Sequence, residues 1–132
     1  MKNLFVSYNI AKELSILNFN EPCIGCYRNG QFMTRIGSKN SKLSTLKKSK
    51  LDSRINEYIA APTFQQAINW IFERYQIWIY VELYDNGKFD WNCVSTHYKE
   101  ETIYPDGFQD TPQLAIELGL LKAINDIKNI GL

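Results

Sequence analysis

The chain holds three cysteines and one histidine, and they fall in two close groups, Cys23-Ile24-Gly25-Cys26 and Cys93 with His97. A C-x2-C pair joined to C-x3-H is the formal ligand set of a Cys3His zinc site. The flanking sequence argues against that use, and a zinc-containing protein with Cys23, Cys26, Cys93 and His97 as ligands stays only an outside alternative. Both groups sit in β-favouring stretches, where residues three apart point to opposite faces and residues four apart lie about 13 Å from each other. Zinc needs all its ligands within about 2.0–2.3 Å. A thioredoxin-like role for Cys23 and Cys26 fails as well, because the pair does not open a helix after a strand. The expected state is three thiols buried or half-buried in a reducing compartment, with no cofactor.

Other catalytic material is sparse. The seven glycines are dispersed as turn and cap residues, Gly119 among them, and they form neither a phosphate loop nor a dinucleotide fingerprint. Glu100 and Glu101 are adjacent in a polar stretch, the pattern of a solvated turn rather than of an acid and base pair. The chain is therefore expected to be non-enzymatic.

Charge is unevenly placed. Net charge is +1, yet residues 35–54 carry +6 and residues 100–132 carry −4. Lys39, Lys42, Lys47, Lys48, Lys50 and Arg54 lie in a Ser- and Lys-rich stretch without clear period, which reads as a basic mobile loop at about 37–56. Lys47, Lys48 and Lys50 could track a phosphate backbone, so nucleic-acid binding is the alternative function. The aromatic interleaving of a single-strand binder is missing there. Residues 63–130 resemble a double-stranded RNA-binding domain in the order of their elements. That family takes its phosphate contacts from lysines opening the last helix, where this chain has Asp110, Thr111 and Pro112.

The elements that would position these residues can be read from caps and periodicity. Ser7 can cap a first helix with the apolar face Ile10, Ala11, Leu14 and Leu17, closing before Pro22. Cys23 to Arg28 and Gln31 to Ile36 flank Asn29-Gly30, a strong hairpin signal. Ala61-Pro62-Thr63-Phe64-Gln65-Gln66-Ala67 marks a second helix start, with Thr63 and Gln66 at capping-box spacing. Its apolar stripe is Phe64, Ala67, Ile68, Ile71, Phe72 and Tyr75, with Trp70 off the stripe.

Ile77 to Tyr84 alternates, aliphatics on one face and Trp78, Tyr80, Glu82 and Tyr84 on the other. Its partner runs from Lys88 to Tyr98. A three-residue Asp85-Asn86-Gly87 loop with Gly87 left-handed sets Leu83 against Phe89, Val81 against Trp91 and Ile79 against Cys93. Thr102-Ile103-Tyr104 could add a short strand. Thr111-Pro112 opens the last helix, whose main stripe is Ile116, Leu120, Ala123, Ile124, Ile127 and Ile130. Leu114, Leu118 and Leu121 form a second strip, and so broad a face is expected to touch two elements.

At 132 residues, 45% hydrophobic and 14% aromatic, the chain has enough apolar material for one domain over residues 1–132. The expected class is α+β: an antiparallel sheet built from two hairpins, four or five strands, with three helices in the order α-β-β-loop-α-β-β-(β)-α. No apolar run reaches the roughly 20 residues that span a bilayer, and the start lacks a signal-peptide core. No membrane association is expected, and the location is cytoplasmic, in a bacterial host.

Asn18-Phe19-Asn20-Glu21-Pro22-Cys23, the Asn29-Gly30 hairpin and Ala61-Pro62-Thr63-Phe64-Gln65-Gln66-Ala67-Ile68-Asn69-Trp70 together resemble small uncharacterised proteins encoded by bacteriophages or integrated mobile elements. The resemblance implies no catalytic residues. It implies a setting in which small accessory proteins act by binding a host or phage protein. Trp78, Tyr80 and Tyr84 fit that expectation: aliphatics already supply the core face of their strand, so either another element covers the aromatics or they face a partner. Trp70 joins them as a candidate contact.

Overall fold

A computed structural model describes residues 2–34, 57–95 and 108–131. The protein is α+β, with three α-helices and two antiparallel sheets. Its contacts gather into two compact units, Met1–Phe64 and Gln65–Leu132. The basic stretch 37–56, the candidate strand at Thr102-Ile103-Tyr104 and His97 all lie outside the described residues.

In the first unit, Ser7 accepts a hydrogen bond from the Ile10 N–H and starts α1 (Tyr8–Ile16). Ile10, Ala11 and Leu14 are its buried residues, as the spacing predicts. Asn18 closes the helix at φ 68°, and the Phe19 N–H returns to the Leu14 carbonyl. Strands β1 (Gly25–Arg28) and β2 (Gln31–Thr34) pair around Asn29 and Gly30, at φ 49° and 83°. Positive φ at both central residues gives a turn whose twist matches that of the strands.

A third strand, β3 (Tyr58–Ala61), joins the other edge of β1, so the order is β2-β1-β3. The Asn29 side chain accepts from the Glu57 N–H, and the Asn29 N–H donates to the Glu57 carbonyl. The expected single sheet is thus two sheets, because β3 completes the first around β1. Tyr27 in β1 is buried, its hydroxyl donating to the Val6 carbonyl at 2.6 Å.

The second unit begins in α2 (Phe64–Tyr75), which starts directly after Thr63. Its buried residues are Phe64, Ala67, Ile68, Trp70 and Ile71, while Phe72 is exposed. The buried stripe is therefore rotated toward Trp70 relative to the expected one. Strands β4 (Ile77–Leu83) and β5 (Phe89–Ser95) pair with Ile79 opposite Cys93, Val81 opposite Trp91 and Leu83 opposite Phe89. This is the register expected of the three-residue loop. Gly87 stands at φ 75°, its N–H donating to the Tyr84 carbonyl, while the Tyr84 N–H donates to the Lys88 carbonyl. Only a residue without a Cβ takes that conformation at no steric cost.

Helix α3 (Pro112–Ile130) is capped by Thr111, which accepts from the Leu114 N–H, and ends at left-handed Gly131. It packs against both β4 and β5. Gly119 is not a cap residue. It lies in mid-helix, where an added Cβ would stand 2.8 Å from Ile79 Cγ2 and 3.5 Å from Trp91 Cβ. With Ala115 and Ala123 one turn away on either side, it forms a small-residue groove that admits the buried Trp91. Leu114 and Leu121 are exposed and Leu118 is half-buried, so the second leucine strip stays largely outside the core. The side chain of Ile130 lies outside the described residues.

Candidate functional site

Alternation along β4 and β5 gives the hairpin an inner face on α3 and an outer face away from it. Ile77, Ile79, Trp91 and Cys93 on the inner face are buried. Across the outer face, Trp78 stands opposite Val94, Tyr80 opposite Asn92 and Glu82 opposite Asp90. Trp78 is 40% and Val94 54% exposed, Tyr84 is exposed, and Tyr80 is half-buried. Of the aromatics singled out in the sequence, Trp78, Tyr80 and Tyr84 are therefore brought together on one accessible face. Trp70 does not join them: it is buried, with Tyr75 against its ring edge at 5.7 Å and the Arg74 guanidinium 5.6 Å from its ring centre.

Sequence reasoning missed three members of the site. Phe72, 46% exposed, meets Trp78 edge to face with ring centres 5.2 Å apart. Phe108, 48% exposed, meets Tyr84 in the same way at 4.8 Å. Val94 completes the Trp78 end, and the hairpin register alone would have found it. Phe108 has no such local signal. It is brought in by a two-way backbone bridge between Phe89 and Gln109, with N···O distances of 2.8 and 2.7 Å.

The outer face thus has an aromatic pair at each end, separated by six residues of strand, or about 20 Å. Between them lies an acidic centre. Glu82 and Asp90 are directly opposite each other, an arrangement that costs a few tenths to about 1 kcal/mol in a strand pair. The Asn92 amide donates to Glu82 at 3.2 Å, and Asp90 accepts from the Trp91 N–H at 2.8 Å. Lys88 is tied to Asp110 at 3.0 Å. Lost hydration first, and then the charges of Glu82 and Asp90, push the Tyr84 phenol above its ordinary range. At neutral pH it is an uncharged O–H donor.

The thiols have a different setting. Cys23 and Cys26 are buried in the first unit, with the Cys23 thiol donating to the Glu21 carbonyl at 3.4 Å, and Cys93 is buried under the hairpin in the second. Among the described residues, no group of three Cys, His, Asp or Glu side chains is placed to hold a metal ion. No helix among those residues is long and apolar enough to cross a membrane.

Lys47, Lys48 and Lys50, the nucleic-acid candidates, lie outside the described residues. No protein-family model matches the chain, and no curated protein or solved structure matches it.

Proposed function

We propose that the protein acts without catalysis, by binding another protein on the outer face of the β4–β5 hairpin. The observation that supports this reading is the exposure of Phe72, Trp78, Val94, Tyr84 and Phe108 on one side of a hairpin whose opposite side supplies the core. Aromatic anchors of this kind carry a disproportionate share of binding energy at protein interfaces. The acidic centre of Glu82 and Asp90 would set orientation and suppress wrong partners.

The test places a photo-crosslinking phenylalanine analogue at position 80, and separately at Asn125 on α3, and compares the proteins trapped in a bacterial host. A partner joined at position 80, absent at 125 and lost when Trp78→Ala is added, supports the reading. Equal trapping at both positions, or trapping that ignores Trp78→Ala in a folded variant, overturns it.

A further inference from the structure

We infer that β4 pairs edge to edge with β4 of a second copy, antiparallel about Val81, to build one four-stranded sheet across a two-fold axis. The hydrogen-bond phase of the hairpin decides which backbone groups point away from it. Because Phe89 spends both backbone groups on Gln109, its pair with Leu83 is a non-hydrogen-bonded one. Antiparallel pairs alternate, so Val81 and Ile79 share that status. Leu83, Val81 and Ile79 therefore send their N–H and C=O groups away from β5. Among the described residues, β5 is the only strand paired with β4.

The outward side of β5 is blunted in two places: Gln109 bridges Phe89, and the Asp90 carboxylate takes the Trp91 N–H. No comparable guard stands along β4 among the described residues, and its exposure rises toward Leu83, which is 67% exposed although it belongs to the inner face. An unguarded edge of this kind is a template for another strand.

Side-chain chemistry then selects the occupant and the register. A two-fold axis at Glu82 would set two carboxylates opposite each other. An axis at Val81 sets Tyr80 opposite Glu82 of the second copy, phenol O–H against carboxylate, twice. It also sets Trp78 opposite the second copy's Tyr84, so that the Phe72–Trp78 end of one face meets the Tyr84–Phe108 end of the other. The two aromatic ends are equidistant from Val81, which is the self-complementarity a two-fold interface requires. Leu83 falls beside Ile79 of the second copy. A lone two-stranded sheet is the smallest and least stable of sheets, and this pairing extends it. The pairing lies in the plane of the sheet and leaves the outer face accessible, so it goes beyond the partner reading above and does not depend on it.

Sedimentation over roughly 1–500 µM, together with hydrogen exchange, tests this directly. The expected result is a mass rising from 15.4 kDa to twice that value, with the amides of Ile79, Val81 and Leu83 gaining protection as concentration increases. Val81→Pro removes an outward N–H without touching the ladder to β5 and should leave a folded monomer. Tyr80→Glu should weaken the dimer at least tenfold, and adding Glu82→Lys should restore it. Val81→Cys should crosslink under mild oxidation, since paired Cα atoms in this register stand within disulfide range. A single 15.4 kDa species at every concentration, or a dimer indifferent to Val81→Pro and Tyr80→Glu with no crosslink at position 81, overturns the inference. Repeating the partner trapping in Val81→Pro keeps the two questions apart, since that variant loses the second copy and keeps the aromatic face.

Discussion

Gly119→Ala measures how closely α3 holds the hairpin. Replacing a mid-helix glycine by alanine normally stabilises by about 1 kcal/mol through helix propensity. Here the new methyl would stand 2.8 Å from Ile79 Cγ2, and Ile79 is 1% exposed on a paired strand. The Cγ2 branches at Cβ, so it cannot swing aside as the end of a long side chain would. Over-packing of this kind costs about 1–3 kcal/mol. The net expectation is a loss of up to about 2 kcal/mol in place of a gain.

A double-mutant cycle isolates the contact. Ile79→Ala alone should cost about 2–5 kcal/mol, while Gly119→Ala in that background should recover stability, because the clash is gone and the methyl enters the space released. Urea or guanidinium unfolding of the four proteins gives the coupling, expected at about 1–3 kcal/mol in the compensating direction. A stabilised Gly119→Ala single variant, with no coupling to Ile79, would refute the close packing on which the supported inner face rests.

Trp91→Ala should lose about 3–5 kcal/mol in the same assay, since Trp91 is fully buried, opposite Val81 in the strand pair and against Gly119; a loss under about 1 kcal/mol would mean the ring is not core. Tyr8→Phe should cost about 1–2 kcal/mol, because its hydroxyl donates to the Glu57 carboxylate at the entry to β3. Burial pushes the Glu117 carboxyl above its ordinary range. The folded state then holds that proton more tightly than the unfolded chain, so its contribution is full below about pH 4 and is lost as pH rises through the raised value. Glu117→Gln should therefore match the wild type in acid and exceed its stability at neutral pH, as thermal unfolding across that range would register. If the basic stretch binds nucleic acid, Lys47, Lys48 and Lys50 changed together to Ala should reduce the slope of log affinity against log salt by about three, with stability nearly unchanged. Absence of salt-sensitive binding by the wild type at about 50 mM salt removes that alternative.

What could be read in the sequence was what local rules dictate. Ser7, Thr111 and Pro112 announced their helices because capping is a matter of two or three neighbouring residues. The β4–β5 register followed from one glycine and a count of loop residues, and with it the common face of Trp78, Tyr80 and Tyr84. Strand β3 was hidden because Tyr58-Ile59-Ala60-Ala61 is four residues long and half alanine, a weak strand former whose state is set by pairing with β1. In α2 the period was correct and its phase was not: tertiary burial chose Trp70 over Phe72, and the exposed Phe72 became part of the site. Gly119 was misread as punctuation because a glycine needed for close approach looks the same, in one sequence, as a glycine needed for a turn.

The acidic centre bears on every reading of this surface. Glu82 opposite Asp90 weakens the very strand pair that carries the aromatics, and a stability-driven choice of residues would avoid it. Local conflict of that kind concentrates where a surface does work beyond holding the fold. Asp85 at the turn adds to the negative field, and the nearby Lys88 ammonium is engaged by Asp110. Such a field repels phosphate. This face is therefore a poor match for nucleic acid. A protein surface that brings apolar side chains to the two aromatic ends and a cation to the carboxylates between them meets no such penalty.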